Sequence, residues 1–159
     1  MSMDLAHLLQ QLATSLGVDS LELNEHGVLS LQFDDKVIVH MEPDPQTEDC
    51  HMYSSLCRIP DDEGARLALF SAILAANGFG RGTLGAAFAV DEQAQEVILA
   101  RIFRPERTEV EDLRHWISEM VSAMNIWLQR LPELGGEGQG QAASSAEHPP
   151  GELVHMLRI

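Results

Sequence analysis

The 159-residue chain predicts an α+β fold: a twisted antiparallel sheet of five strands with three helices, in the order α-β-β-β-α-β-β-α. Three observations predict it. Stretches near each end repeat their apolar residues at helical spacing. Between them, short runs alternate apolar and polar residues and are joined by tight turns, the mark of antiparallel strands with one covered face. Residues 65–76 form a third kind of stretch, apolar almost throughout, with only Arg66 and Ser71 polar.

The first helix takes Leu5, Leu8, Leu9, Leu12 and Leu16 on one stripe and ends at Gly17. Its leucines face the core, or in part a partner. Leu21 and Leu23 alternate with polar neighbours, and Glu25-His26-Gly27 reads as a turn. Leu29, Leu31 and Phe33 alternate with Ser30, Gln32 and Asp34, a half-buried first strand. Asp34-Asp35-Lys36 connects it tightly to a second strand, Val37 to Met41. A Pro43/Pro45 loop leads to a third strand from Cys50 to Ile59, which Pro60 stops. After the central helix, residues 85–90 and 96–104 read as two more strands around the loop 91–95. The last helix opens with a capping box, Thr108 and Glu111. It carries Leu113, Ile117, Met120, Met124, Trp127 and Leu131 on one stripe, read as core, with Trp116 off the stripe as a surface anchor, and Pro132 ends it. Residues 1–132 thus make one domain. Residues 133–159, rich in Gly, Gln, Ser and Pro, make a flexible tail that closes on an apolar patch from Leu153 to Ile159.

The central helix organises the rest. Acidic residues 61–63 suit its N-terminus, and Asn77-Gly78 supplies a left-handed stop. A helix that is apolar nearly all round is covered on more than one side, whereas a two-layer domain covers a helix from one side only. The economical cover for the other side is a second copy across a two-fold axis, so a homodimer is expected.

Composition removes several functions. The net charge is −15, with 25 acidic against 10 basic residues and Lys36 the single lysine. That excludes nucleic acid, whose affinity comes from phosphate neutralisation, and an anionic membrane surface. No run reaches a transmembrane length, and the N-terminus does not read as a signal peptide. Cys50 and Cys57 are too few for a disulfide framework and read as reduced thiols of a cytosolic protein.

Motifs that resemble chemistry do not hold up. Gly80-Arg81-Gly82-Thr83-Leu84-Gly85 fits the dinucleotide fingerprint literally, but a helix precedes it and a strand follows, the reverse of what a phosphate needs. Its glycines let the chain turn and pack closely. Cys50, His51 and Cys57 with His40 lack zinc spacing, and the two cysteines, seven apart, are expected on opposite faces of a straight strand. No cofactor, metal or catalytic residue is therefore expected. An enzyme using Cys57 with His40 or His51 is the alternative from another class.

Leu8 to Val18, the segment LELNEHGVLSLQFDD (residues 21–35), the central RLALFSAILAANGF (66–79) and the strand pair GAAFAVDEQAQEVILARIF (85–103) together resemble the class I chaperones of bacterial type III secretion, the CesT-like (Tir chaperone) family. The resemblance covers residues 4–131 and leaves the tail unmatched. It implies a cytoplasmic homodimer whose central helix and following strand form the interface, through Leu67, Phe70, Ile73 and Leu74 with Phe88 nearby. It also implies an ATP-independent hold on the extended N-terminal segment of a secreted effector, for which Leu29, Leu31, Phe33 and Ile102 are the contact residues. A regulatory adaptor of the same shape, sequestering an anti-activator, is the alternative within the family.

Overall fold

The structure, a computed structural model, describes residues 3–135 and 154–157. The elements are α1 (Met3–Leu16), β1 (Leu29–Phe33), β2 (Val37–Pro43), β3 (Cys50–Arg58), α2 (Glu63–Asn77), β4 (Ala87–Asp91), β5 (Glu96–Phe103), α3 (Val110–Arg130) and β6 (Val154–Leu157). The expected helices and five antiparallel strands are present, ordered β4-β5-β3-β2-β1 across the sheet. A sixth strand, β6, lies parallel beside β1. It falls in the segment expected to be a flexible tail; residues 136–153 lie outside the described residues. A 3-10 turn, Leu131–Leu134, continues α3 with Leu131 fully buried, so ordered chain runs past Pro132 to Gly135.

Strand periodicity sets which face is covered. Leu29, Leu31 and Phe33 of β1 and Val37, Val39 and Met41 of β2 point inward with Met52, Val97 and Leu99. α3 packs on β2 and β3, and α1 packs against α3, so one layer of helix closes one face of the sheet. Leu5, Leu8, Leu9 and Leu12 of α1 are all buried in that layer, with Leu113, Ile117, Met120, Met124 and Trp127 of α3. The tight β1–β2 connection is made by Asp34 and Asp35, both at positive φ (51° and 56°), the hairpin geometry that short polar residues tolerate.

Three local details differ from the sequence reading. β3 has an irregularity at Leu56: Ser55 pairs with Ile98, whereas Cys57 pairs with Val97. The extra residue offsets the odd spacing, so Cys50, opposite Phe103, and Cys57 both enter the core instead of opposite faces. α2 is capped at its start by Asp62, which accepts the Ala65 N–H at 2.8 Å. At its end, however, Gly78 is extended, and the left-handed positions are Phe79 (φ 59°) and Gly80 (φ 65°). The Thr108/Glu111 capping box does not form. The Thr108 hydroxyl donates to the Arg104 carbonyl at 2.8 Å across the Pro105–Arg107 turn, and Glu109 takes the N-cap position without a side-chain bond.

Candidate partner-binding surfaces

α2 sits at the β4 end of the sheet with two unlike faces. Leu69 and Ile73 are buried, and Phe70, Ala72 and Ala76 pack partly against the core. Leu67 and Leu74, one heptad apart, are 67% and 69% exposed. Between and beside them lie exposed Ala68, Ser71 and Ala75, small enough for another backbone to approach closely. Of the five residues expected at a dimer interface, Leu67 and Leu74 are therefore on open surface and Phe70 is partly covered. Ile73 and Phe88 are core residues at 4% and 6% exposure; Phe88 meets the Trp127 ring edge-to-face at 4.8 Å. Phe79, 99% exposed between two glycines, belongs with the open leucines and was not singled out from the sequence. An aromatic residue in the turn after a helix stop was its one available signal.

Side-chain hydrogen bonds and close packing tie the α2–β4 junction together. The Asn77 side chain acts as a strand for Phe88: its Oδ1 accepts the Phe88 N–H at 2.7 Å and its Nδ2 donates to the Phe88 carbonyl at 3.1 Å. The glycine-rich turn wraps this joint. A Cβ on Gly82 would lie 2.7 Å from the Ala76 Cβ, and the Trp127 indole N–H donates to the Gly82 carbonyl at 2.9 Å. A Cβ on Gly85 (φ 84°) would lie 2.6 Å from the Arg101 guanidinium, which donates to the Leu84 carbonyl, pairs with Glu119 at 3.3 Å and stacks over Trp116. Close packing, not phosphate binding, accounts for these glycines. It also accounts for half-buried Trp116, expected as a free anchor.

The sheet's other face carries no helix layer among the described residues. Direct cross-strand partners line it up: Ala87, Ala100, Tyr53, His40 and Ser30 form one row across five strands. Ala89, Ile98 and Ser55 form the next, and Ile102, His51 and Glu42 another. The β4–β5 half is thus small and apolar, and the β1–β2 half is polar. Ile102 is 61% exposed there. A cleft of about 480 Å³ opens beside it, walled by Glu42, Asp44 and Asp91 and floored by Tyr53, Ile98 and Ala100. Asp44 is held below the ordinary carboxylate range, chiefly by the Gln46 N–H and then by His51. Leu29, Leu31 and Phe33, expected to touch a partner, are instead 0–2% exposed beneath the chain's own helices. Of those four residues only Ile102 has surface to offer.

The thiols and histidines do not meet. His40 and His51 face outward, opposite Tyr53 and Ile102 respectively, while Cys50 and Cys57 point into the core on the sheet's other side. Burial pushes the Cys50 thiol up to about 12 and Cys57 up to about 11, where neither is a nucleophile at neutral pH. Among the described residues no helix is long and apolar enough to cross a membrane.

The model of the Tir chaperone protein (CesT) family matches residues 7–128. No curated protein sequence matches the chain. Its fold is similar to that of the HopA1–SchA chaperone–effector complex, with 18% identity over 81% of this chain and 98% of that one, at a TM-score of 0.65. It is similar to the ExsC–ExsE complex as well, with 23% identity over 82% and 97% and the same TM-score. The Yersinia pestis type III secretion chaperone SycH, bound to a fragment of YscM2, shows 20% identity over 77% and 98% at 0.59.

Proposed function

The chain belongs to the Tir chaperone protein (CesT) family, and from that premise we propose that it is a cytosolic homodimer which holds the N-terminal segment of a secreted effector in extended form, without ATP and without catalysis. The observation that carries the reading is the apolar face of the sheet around half-buried Ile98 and Ala100 and exposed Ile102, which no helix among the described residues covers. An apolar face that its own chain leaves open marks a place for another chain. The chaperone–effector complex with a similar fold supports it.

A client that must remain secretable is held by main-chain pairing and by side chains laid on such a face, not by a folded domain docking. Ordering a flexible segment is costly, so a broad contact is needed. The acid-walled cleft beside Ile102 suits a basic side chain on that client, and the net charge of −15 speeds its encounter. Dimerisation is assigned to the open stripe of α2, Leu67 and Leu74, with Phe79.

Ile102→Glu tests the client site. The substitution is at an exposed position, so thermal unfolding stays unchanged. Co-purification from the native cell, followed by proteolysis and mass spectrometry, is expected to yield a protected N-terminal fragment of a secreted protein with the wild-type chain and far less with the variant. Equal recovery with both chains refutes the assignment of this face.

A further inference from the structure

We propose that the C-terminal strand β6 is a built-in competitor: it occupies, in cis, the sheet edge at which an extended client would add a strand, and an incoming segment must displace it. The inference rests on the client-holding reading above.

The sheet has two ends, and they are closed differently. At the β4 end, the Asn77 amide satisfies both backbone groups of Phe88 and makes that edge a poor template. At the other end β1 would be the edge, and β6 covers it in parallel register: Ser30 beside Val154, Leu31 beside His155, Gln32 beside Met156 and Phe33 beside Leu157. An uncovered edge strand presents a row of backbone donors and acceptors to any extended chain. The edge that β6 occupies is therefore the one fit for strand addition.

β6 is suited to leave. It is four residues long, below the usual strand length of about five or six. It is last in the sheet order, so among the described residues β1 is its only strand neighbour. It is joined to the domain through residues 136–153, whose Gly, Gln, Ser and Pro content is that of a linker, and a linker of that order gives an effective concentration in the millimolar range. That is enough to keep a weak strand seated and low enough for a longer client to win. Strand addition relies on main-chain bonds and tolerates many sequences. The segment 151–159 is also largely apolar, as an added strand needs to be: Leu153, Val154, Met156, Leu157 and Ile159, with Arg158 offsetting Glu152 in a chain otherwise strongly acidic.

The test uses the full chain and the variant His155→Pro/Met156→Pro. Adjacent backbone groups of a strand point to opposite sides, so one of the two prolines removes a donor aimed at β1. Hydrogen exchange is expected to show residues 154–157 protected in the wild type, with that protection and part of the protection of residues 29–33 lost in the variant. A fluorescent synthetic peptide of residues 151–159 then serves as the strand probe. It should bind the variant at least about tenfold more tightly than the wild type, because only the variant's edge is vacant, and should restore protection at 29–33. Exchange of 154–157 at free-peptide rates in the wild type, or equal peptide binding by both chains, overturns the proposal. Neither measurement involves a client, so a failure of the Ile102→Glu experiment leaves the edge assignment standing and removes only its biological use.

Discussion

Replacing Leu74 by Arg separates the two roles of α2. Leu74 is 69% exposed in the single chain, so the variant's own fold has little to lose. In a two-fold dimer the residue occurs twice. Burying one leucine side chain contributes roughly 1.5–3 kcal/mol, so losing both copies costs about 3–6 kcal/mol before two unpaired guanidinium groups are counted. At about 1.4 kcal/mol per tenfold, the dimer weakens by at least about a hundredfold and more typically a thousandfold. Light scattering after size exclusion, across micromolar concentrations, should show a wild-type dimer and a monomeric or aggregating Leu74→Arg chain. Circular dichroism of the monomeric fraction should give a near-native melt. Ile73→Arg is the matched control: that side chain is buried in its own subunit, and its replacement should abolish the fold. A Leu74→Arg chain that remains a dimer at micromolar concentration, or a wild type that is monomeric there, refutes the assignment.

Three further outcomes are expected. Cys50 and Cys57 should resist iodoacetamide and aromatic disulfides in the native chain at pH 8 and react fully in denaturant; rapid native labelling of either would contradict its burial. Both thiols have raised pKa values in the fold, to about 12 and about 11, so the stability they contribute is complete below the ordinary thiol pKa near 8.5 and is lost as pH rises towards the folded values. A melting temperature that falls between pH 8.5 and 11, and falls less in a Cys50→Ala/Cys57→Ala chain, reads this out; identical slopes would refute it. Asn77→Ala leaves the Phe88 N–H and carbonyl without their side-chain partner and should cost about 1–3 kcal/mol, several degrees in melting temperature, with an unchanged melt counting against the strap.

How much of this was readable beforehand follows from what periodicity can report. Spacing near 3.6 placed Leu5, Leu8, Leu9 and Leu12 on one face, and all four are buried. Alternation found β1 and β2 correctly. It says only that one face is covered, however, never by what, and so Leu29, Leu31 and Phe33 were assigned to a client when the chain's own helices cover them. The same limit applies within α2. A stretch apolar on every side declares that two covers are needed, but Ile73 and Leu74 are chemically alike, and only the helix's rotation against β4 and the Leu131–Leu134 turn decides which faces in. Local insertions are worse. The irregularity at Leu56 reverses the facing of Cys57 without any Gly or Pro to announce it. The Thr108 hydroxyl could accept the Glu111 N–H or donate to a nearby carbonyl, and it donates to Arg104 across the Pro105–Arg107 turn. The pairing of Val154–Leu157 with β1 is long-range and leaves no periodic trace; the apolar patch was visible, its destination was not.

The architecture would let one thin domain hold the proposed client without sacrificing its own core. A sheet with helices on both faces would have nothing to offer a client short of unfolding. Here α1 and α3 supply one covering layer and the domain's stabilisation comes from that side. Ile102 and the alanine rows on the other side stay free, so exchanging occupants there leaves the buried leucines undisturbed. α2 is displaced to the β4 end and strapped there by Asn77, which keeps it from lying across that open face. The displacement exposes Leu67 and Leu74, so the proposed dimerisation and the proposed client binding share one cause: the move that clears the sheet for a client also uncovers the stripe that a second copy would cover.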